Sequence, residues 1–192
     1  IMVCSVNLDT HEVKLISIYR DTYLNLGNDV YKKCNAAYAR GGPEQAIGMI
    51  NTNTDLYVTD YVTVGFEGLM KAVDALGGVE MDITETEMIH LNNYQSTMAA
   101  EMGIEYTPVT VSGMQNLNGL QATAYCRIRY GGGDDFRRAE RQRDVLTAMI
   151  EKGKTASIST LTEAMNAVLP NVQTSLDIED ILSMLGVLAD FQ

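Results

Sequence analysis

The chain has 192 residues, 46% of them hydrophobic, with 14 Lys and Arg against 25 Asp and Glu and a formal net charge of −11. That length and apolar share lead us to expect a single globular domain, or one domain with a small appendage, with a core of its own. So acidic a composition lacks the broad basic stripe that nucleic acid needs, and no apolar run is long enough to span a membrane.

Taken in order, residues 1–8 and 12–19 alternate as strands and form a hairpin around Asp9-Thr10-His11. The second strand delivers Arg20-Asp21-Thr22 at its end, where loops and functional groups concentrate. After a polar loop carrying Lys33, Gly41-Gly42-Pro43 opens a helix over residues 44–51, with the proline at a favourable first position. Residues 57–64 read as a strand, 66–76 as an amphipathic helix ended by Gly77-Gly78, and 79–83 as a strand. Residues 84–106, with Met81 just before and Met88, Met98 and Met102 within, read as a helical lobe with methionine as core filler, or as an adaptable wall for a flexible apolar ligand. A short strand at 109–111 and a helical turn at 116–123 lead into a strand at 125–130. Gly131-Gly132-Gly133 forms a loop, and Asp134 caps a helix running to residue 152. Two more helices, 157–169 and 177–191, are linked through Pro170 and Val172. The expected fold is α/β, a single domain with a central mixed sheet and helices on both faces.

Six of the eight arginines fall between positions 127 and 143. Arginine is suited to forked recognition of phosphate and carboxylate. On a strand, Arg127 and Arg129 share one side and repel each other unless an anion or a carboxylate lies between them. Asp135, Arg138 and Gln142 share one helix face, and Arg138 lies near the helix N-terminus, where an anion is favoured. A diphosphate fits such a convergence, while a helix face salted with Arg–Glu pairs is the plainer alternative. The glycine run lacks the lysine of a phosphate loop, which argues against a nucleotide phosphotransferase. Cys4, Cys34 and Cys126, with His11 and His90, match neither metal spacing nor a disulfide framework, and the thiols are expected to be buried.

Several segments together resemble the LytR-CpsA-Psr family. Ser17-Ile18-Tyr19-Arg20-Asp21-Thr22 is similar to its S-I-P-R-D-T motif, with tyrosine in place of proline, and Lys33-Cys34-Asn35-Ala36-Ala37-Tyr38 resembles its K-I-N-A-A-Y segment. Residues 60–66, 73–79 and 117–122 resemble its following blocks, and Arg127-Ile128-Arg129 with Asp135-Phe136-Arg137-Arg138-Ala139-Glu140-Arg141-Gln142 complete the series. The resemblance implies a phosphotransferase at the outer face of a Gram-positive-type cell membrane, held by an N-terminal membrane anchor. Its substrate would be a glycopolymer such as teichoic acid or capsule on a polyprenyl-diphosphate carrier, and its acceptor peptidoglycan. By motif, Arg20, Arg127, Arg129, Arg138 and Gln142 match diphosphate contacts, Lys33 is a further contact, and Asp135 is an acidic position beside the arginines. The four arginines would stabilise charge in transfer, with Asp21 or Asp135 as the general base. Mg²⁺ is the expected cofactor, with its aspartates upstream of Ile1. The alternative is a non-catalytic domain that binds polyprenyl-diphosphate lipid.

Overall fold

The computed structural model describes residues 1–7, 9–130, 134–186 and 190. The chain runs β1 (Met2–Asn7), β2 (Glu12–Ser17), β3 (Tyr23–Asn25), β4 (Tyr31–Lys33), α1 (Asn35–Asn53), β5 (Val62–Val64), α2 (Phe66–Ala75) and β6 (Val79–Ile83). It continues with α3 (Glu85–Met102), β7 (Gly113–Leu117), α4 (Gly119–Arg127), α5 (Asp134–Lys154), α6 (Ile158–Val168), a 3₁₀ turn (Leu169–Asn171), β8 (Val172–Thr174) and α7 (Ile178–Gly186). The α/β class expected from the sequence forms. The described strands pair as four two-stranded sheets rather than as one central mixed sheet. The three pairs whose register is resolved are all antiparallel. The end of the helix expected over 177–191 falls partly outside the described residues.

The chain groups into two compact units, residues 1–63 with 173–192, and residues 64–172. In the first, β1 and β2 pair from Met2↔Ser17 to Asn7↔Glu12, as the alternation predicts. The turn is closed locally, because the amides of Asp9 and Thr10 both donate to Asn7 Oδ1. The β3–β4 ribbon, which the sequence reading missed, pairs Tyr23 with Lys33. The expected helix over 44–51 begins earlier: α1 starts at Asn35 and is bent at Gly41–Gly42. Gly42 has φ +67°, a conformation that favours glycine, and Pro43 restarts the helix. The core of this unit is Val3, Leu26, Cys34, Ala37, Ala46, Met49 and Ile50. Cys34 and Cys126 are buried as expected, whereas Cys4 lies exposed on β1.

In the second unit, β6 alternates Val79, Met81 and Ile83 inward with Glu80 and Asp82 outward, and pairs antiparallel with β7. The strand expected at 109–111 does not form. The side chain of Asn92 on α3 occupies the backbone of Val109 instead, donating to its carbonyl and accepting from its amide. Met81 and Met98 are buried in the core and Met88 packs against it, so these three fill the core, whereas Met102 lies exposed. α4 lies at the centre, with every residue from Gly119 to Cys126 buried. Its first turn is satisfied by a capping box between Asn118 and Gln121, and Asp74 on α2 accepts the Gly119 amide at 2.7 Å. Position 119 requires glycine, because a Cβ there would collide with the Met70 carbonyl oxygen. Among the described residues no helix is long and apolar enough to cross a membrane.

Candidate functional site

The arginine cluster of the second unit is built on one face of α3. α4 ends at Arg127, and the chain then passes Ile128, Arg129 and Tyr130 before α5 begins at Asp134. Arg127 and Arg129 are therefore not neighbours on a strand, which corrects the expectation for residues 125–130. Gly131-Gly132-Gly133 and the side chain of Asp134 lie outside the described residues. Glu87, His90 and Tyr94 occupy successive turns of α3. Tyr94 lies 5.8 Å from the Arg127 guanidinium, and the His90 ring lies 4.4 Å from that of Tyr130. Glu87 accepts a hydrogen bond from Arg141 Nε at 3.0 Å. One helix face thus meets both ends of the 127–130 segment and the α5 helix.

Each arginine has a different partner. Arg138 Nη2 lies 2.8 Å from Asp135 Oδ1, and Arg129 Nη2 lies 3.8 Å from the same oxygen. One carboxylate therefore sits between two guanidinium groups, one of which belongs to the α4–α5 connection. Asp135 and Arg138 do share a face of α5, as the helical spacing predicts. Gln142 lies one turn beyond Arg138 and is exposed. Arg137 pairs with Glu140 on the surface at 2.7 Å, so the plainer Arg–Glu reading is right for that residue. Arg141, only 8% exposed, is no surface cation. It pairs with Glu87 and also donates from Nη1 to the Ile128 carbonyl at 3.3 Å. Burial alone would raise the Glu87 carboxyl. The Thr84 amide and the Arg141 guanidinium outweigh burial and hold it below the ordinary glutamate range. Burial and the nearby Glu87 charge push the Tyr125 phenol up, and burial pushes the Cys126 thiol up to about 12.

Arg127 is the exception in this group. Its guanidinium lies 4.8 Å from the Phe66 ring centre, and no described carboxylate lies within ion-pair distance of it. It also occupies the last turn of α4, where the negative end of the helix dipole favours a cation.

In the first unit, Arg20 is exposed in the turn after β2. The loop is pinned by Cys34, which is fully buried. The Cys34 thiol donates to the Tyr19 carbonyl at 3.0 Å, and the Cys34 amide to the Thr22 carbonyl at 2.8 Å. The Arg20 carbonyl accepts from the Asn35 amide at 3.4 Å, so the start of α1 is stitched to the loop. Lys33 Nζ lies 3.0 Å from Asp21 Oδ2, both side chains being exposed. Arg20, Asp21 and Lys33 thus belong to the first unit, and Arg127, Arg129, Asp135, Arg138 and Gln142 to the second.

Sequence reasoning missed Phe66, Glu87, Tyr94 and the role of Arg141, because their partners lie far away along the chain. The one available signal was Thr84 followed by Glu87, a capping-box spacing. Among the described residues no group of three or more His, Cys, Asp or Glu could hold a metal ion.

The chain is 31% identical over 94% of its length to a polyisoprenyl-teichoic acid–peptidoglycan teichoic acid transferase, TagU, of Enterococcus faecalis, covering 55% of that protein. It is 30% identical over 92% of its length to biofilm regulatory protein A of Streptococcus mutans, covering 44% of that protein. The chain thus spans about half the length of the curated relatives it matches. Two structures of TagT share the fold: one bound to LI-WTA (TM-score 0.79, 23% identity, covering 98% of this chain and 67% of that one) and one with bound octaprenyl pyrophosphate lipid (TM-score 0.73, 22% identity, covering 98% and 66%). The LytR_cpsA_psr family profile matches residues 1–191, and the chain belongs to that family.

Proposed function

We propose that this chain carries a phosphotransferase site that moves a glycopolymer from a polyprenyl-diphosphate carrier to peptidoglycan, on the outer face of the cell membrane. The observation that carries the reading is the second unit's arginine group. Arg129 and Arg138 share one carboxylate, and Arg127 is held without any among the described residues. Such a group has cationic charge to offer an anion, and a diphosphate has enough oxygens to engage all three. The name of TagU supports a polyisoprenyl-linked teichoic acid as the substrate, and that of the lipid-bound TagT structure a prenyl pyrophosphate as the ligand class. Arg20 and Lys33 of the first unit take the same anion-binding role on the strength of their motifs, as does Gln142 on α5.

In the reaction, an acceptor hydroxyl oxygen attacks the phosphorus next to the glycan. The bond from that phosphorus to the bridging oxygen breaks, polyprenyl monophosphate leaves, and a phosphodiester forms. The arginines stabilise charge that develops on the phosphate oxygens. The hydroxyl proton passes to a carboxylate, for which Asp21 beside Lys33 and Asp135 beside Arg138 are the candidates.

The test is transfer from a polyprenyl-diphosphate-linked glycan to peptidoglycan oligomers, read as polyprenyl monophosphate and linked product. Arg129→Lys should lower the rate by roughly tenfold or more, because the planar fork is lost. Arg138→Ala should lower it by about a hundredfold, the scale of one donor to a developing oxyanion. Lipid binding without product would assign the chain to carrier binding instead.

A further inference from the structure

Among the described residues no carboxylate takes up the hydrogen-bond donors of Arg127. A guanidinium carries its N–H donors in its own plane, pointing outward. An aromatic ring set over the face attracts the cation through its quadrupole and takes up no donor. Arg129 and Arg138 each turn an Nη2 toward Asp135. Arg127 instead lies over Phe66 at 4.8 Å and near Tyr94 at 5.8 Å.

The two rings come from different helices, both packed against α4. Phe66 is the first residue of α2, and 56% of its surface is exposed, so the ring contributes little to the core. Tyr94 is partly buried and packs against the core from α3. A ring anchored in the core and a ring at a helix start together limit where the guanidinium can turn.

We propose that Phe66 and Tyr94 are positioning residues for Arg127, fixing its guanidinium by cation–π contact while its N–H edge stays available to a ligand diphosphate. The inference rests on the reading of Arg127 as a diphosphate contact. It gives a half-buried arginine at a helix end a defined place although no carboxylate among the described residues pairs with it.

The test uses the whole chain and inorganic pyrophosphate, which has no prenyl tail, so a change at Phe66 cannot act through an apolar ligand. Mono-, di- and trifluorinated phenylalanine is placed at position 66, and affinity is measured by calorimetry. Fluorination drains the ring quadrupole and leaves the ring's shape nearly unchanged. Phe66→Leu, Phe66→Trp and Arg127→Ala complete the set. The expected result is a stepwise fall totalling about threefold to tenfold across the fluorinated series. Phe66→Leu should match the trifluoro form, and Phe66→Trp should bind as well as phenylalanine or better. An affinity unchanged across the series, with Arg127→Ala weakening binding, overturns the positioning role and leaves Arg127 as a contact. An Arg127→Ala variant that binds pyrophosphate like the parent overturns the reading of Arg127, and the inference with it.

Discussion

Glu87 serves two elements at once. Its Oε2 accepts from the Thr84 amide and hydroxyl at the start of α3, and its Oε1 accepts from Arg141 of α5. Removing its charge leaves a nearly buried guanidinium facing a neutral amide. Glu87→Gln should therefore cost about 1.5–3 kcal/mol of stability at neutral pH, the range for hydrogen bonds to charged groups. Because the folded pKa lies below the ordinary value, the ionised form stabilises the fold. That contribution is complete above the unfolded glutamate pKa of about 4.3 and is lost as pH falls through the lower folded value. In urea titrations, the gap between parent and variant should hold from pH 7 down to about 5 and narrow below about 4.3. A gap that widens in acid would show the pair working against the fold. At this scale the sequence was half legible. It announced the arginines as a group, and helical spacing paired Asp135 with Arg138. It could not pair Glu87 with Arg141, 54 positions apart, nor show that Arg127 faces the rings of Phe66 and Tyr94.

α4 shows why one element was misread. A helix buried along almost its whole length needs no polar face, so the 3.6-residue period that betrays surface helices is absent. What remains visible is Thr123, Tyr125 and Ile128, whose side chains favour strands, and the packing of neighbouring helices overrides that preference. The capping box at Asn118 and Gln121 was the better guide, since it marks a helix start wherever the helix packs. The same packing makes Gly119 a sharp test. Helix propensity alone says that Gly119→Ala stabilises by about 1 kcal/mol. The new methyl would meet the Met70 carbonyl oxygen and the Asp74 carboxylate, and overpacking of that kind costs about 1–3 kcal/mol. A clash with backbone oxygen lies at the upper end of that range, so the collision should win by about 2 kcal/mol and lower the melting temperature by about 4–8 °C for a chain of this size. A rise in melting temperature would show that α4 can draw back from α2 without loss.

For the whole molecule, fold class and the opening β1–β2 hairpin were legible, and the pairing of the later strands was not. Alternation identifies a strand, but the choice of partner depends on residues far apart, as when β6 takes β7 across the whole of α3. Charge at this scale sets a further expectation. The body carries a formal net charge of −11, yet the proposed ligand is an anion bound by a few arginines. The field of the body reaches about 30 Å at 0.01 M salt and about 8 Å at 0.15 M, whereas the guanidinium contacts act only at close range. Salt should therefore screen the long-range repulsion first. The association rate of inorganic pyrophosphate should rise between about 0.01 and 0.15 M salt, while the complex becomes shorter-lived as the close contacts weaken. This is the reverse of a cation-steered site, where association slows steeply as salt is added. Rapid-mixing measurements at fixed pH across that range read both rates. An association rate that falls with salt would mean that the arginine group, and not the acidic body, governs the approach of the anion.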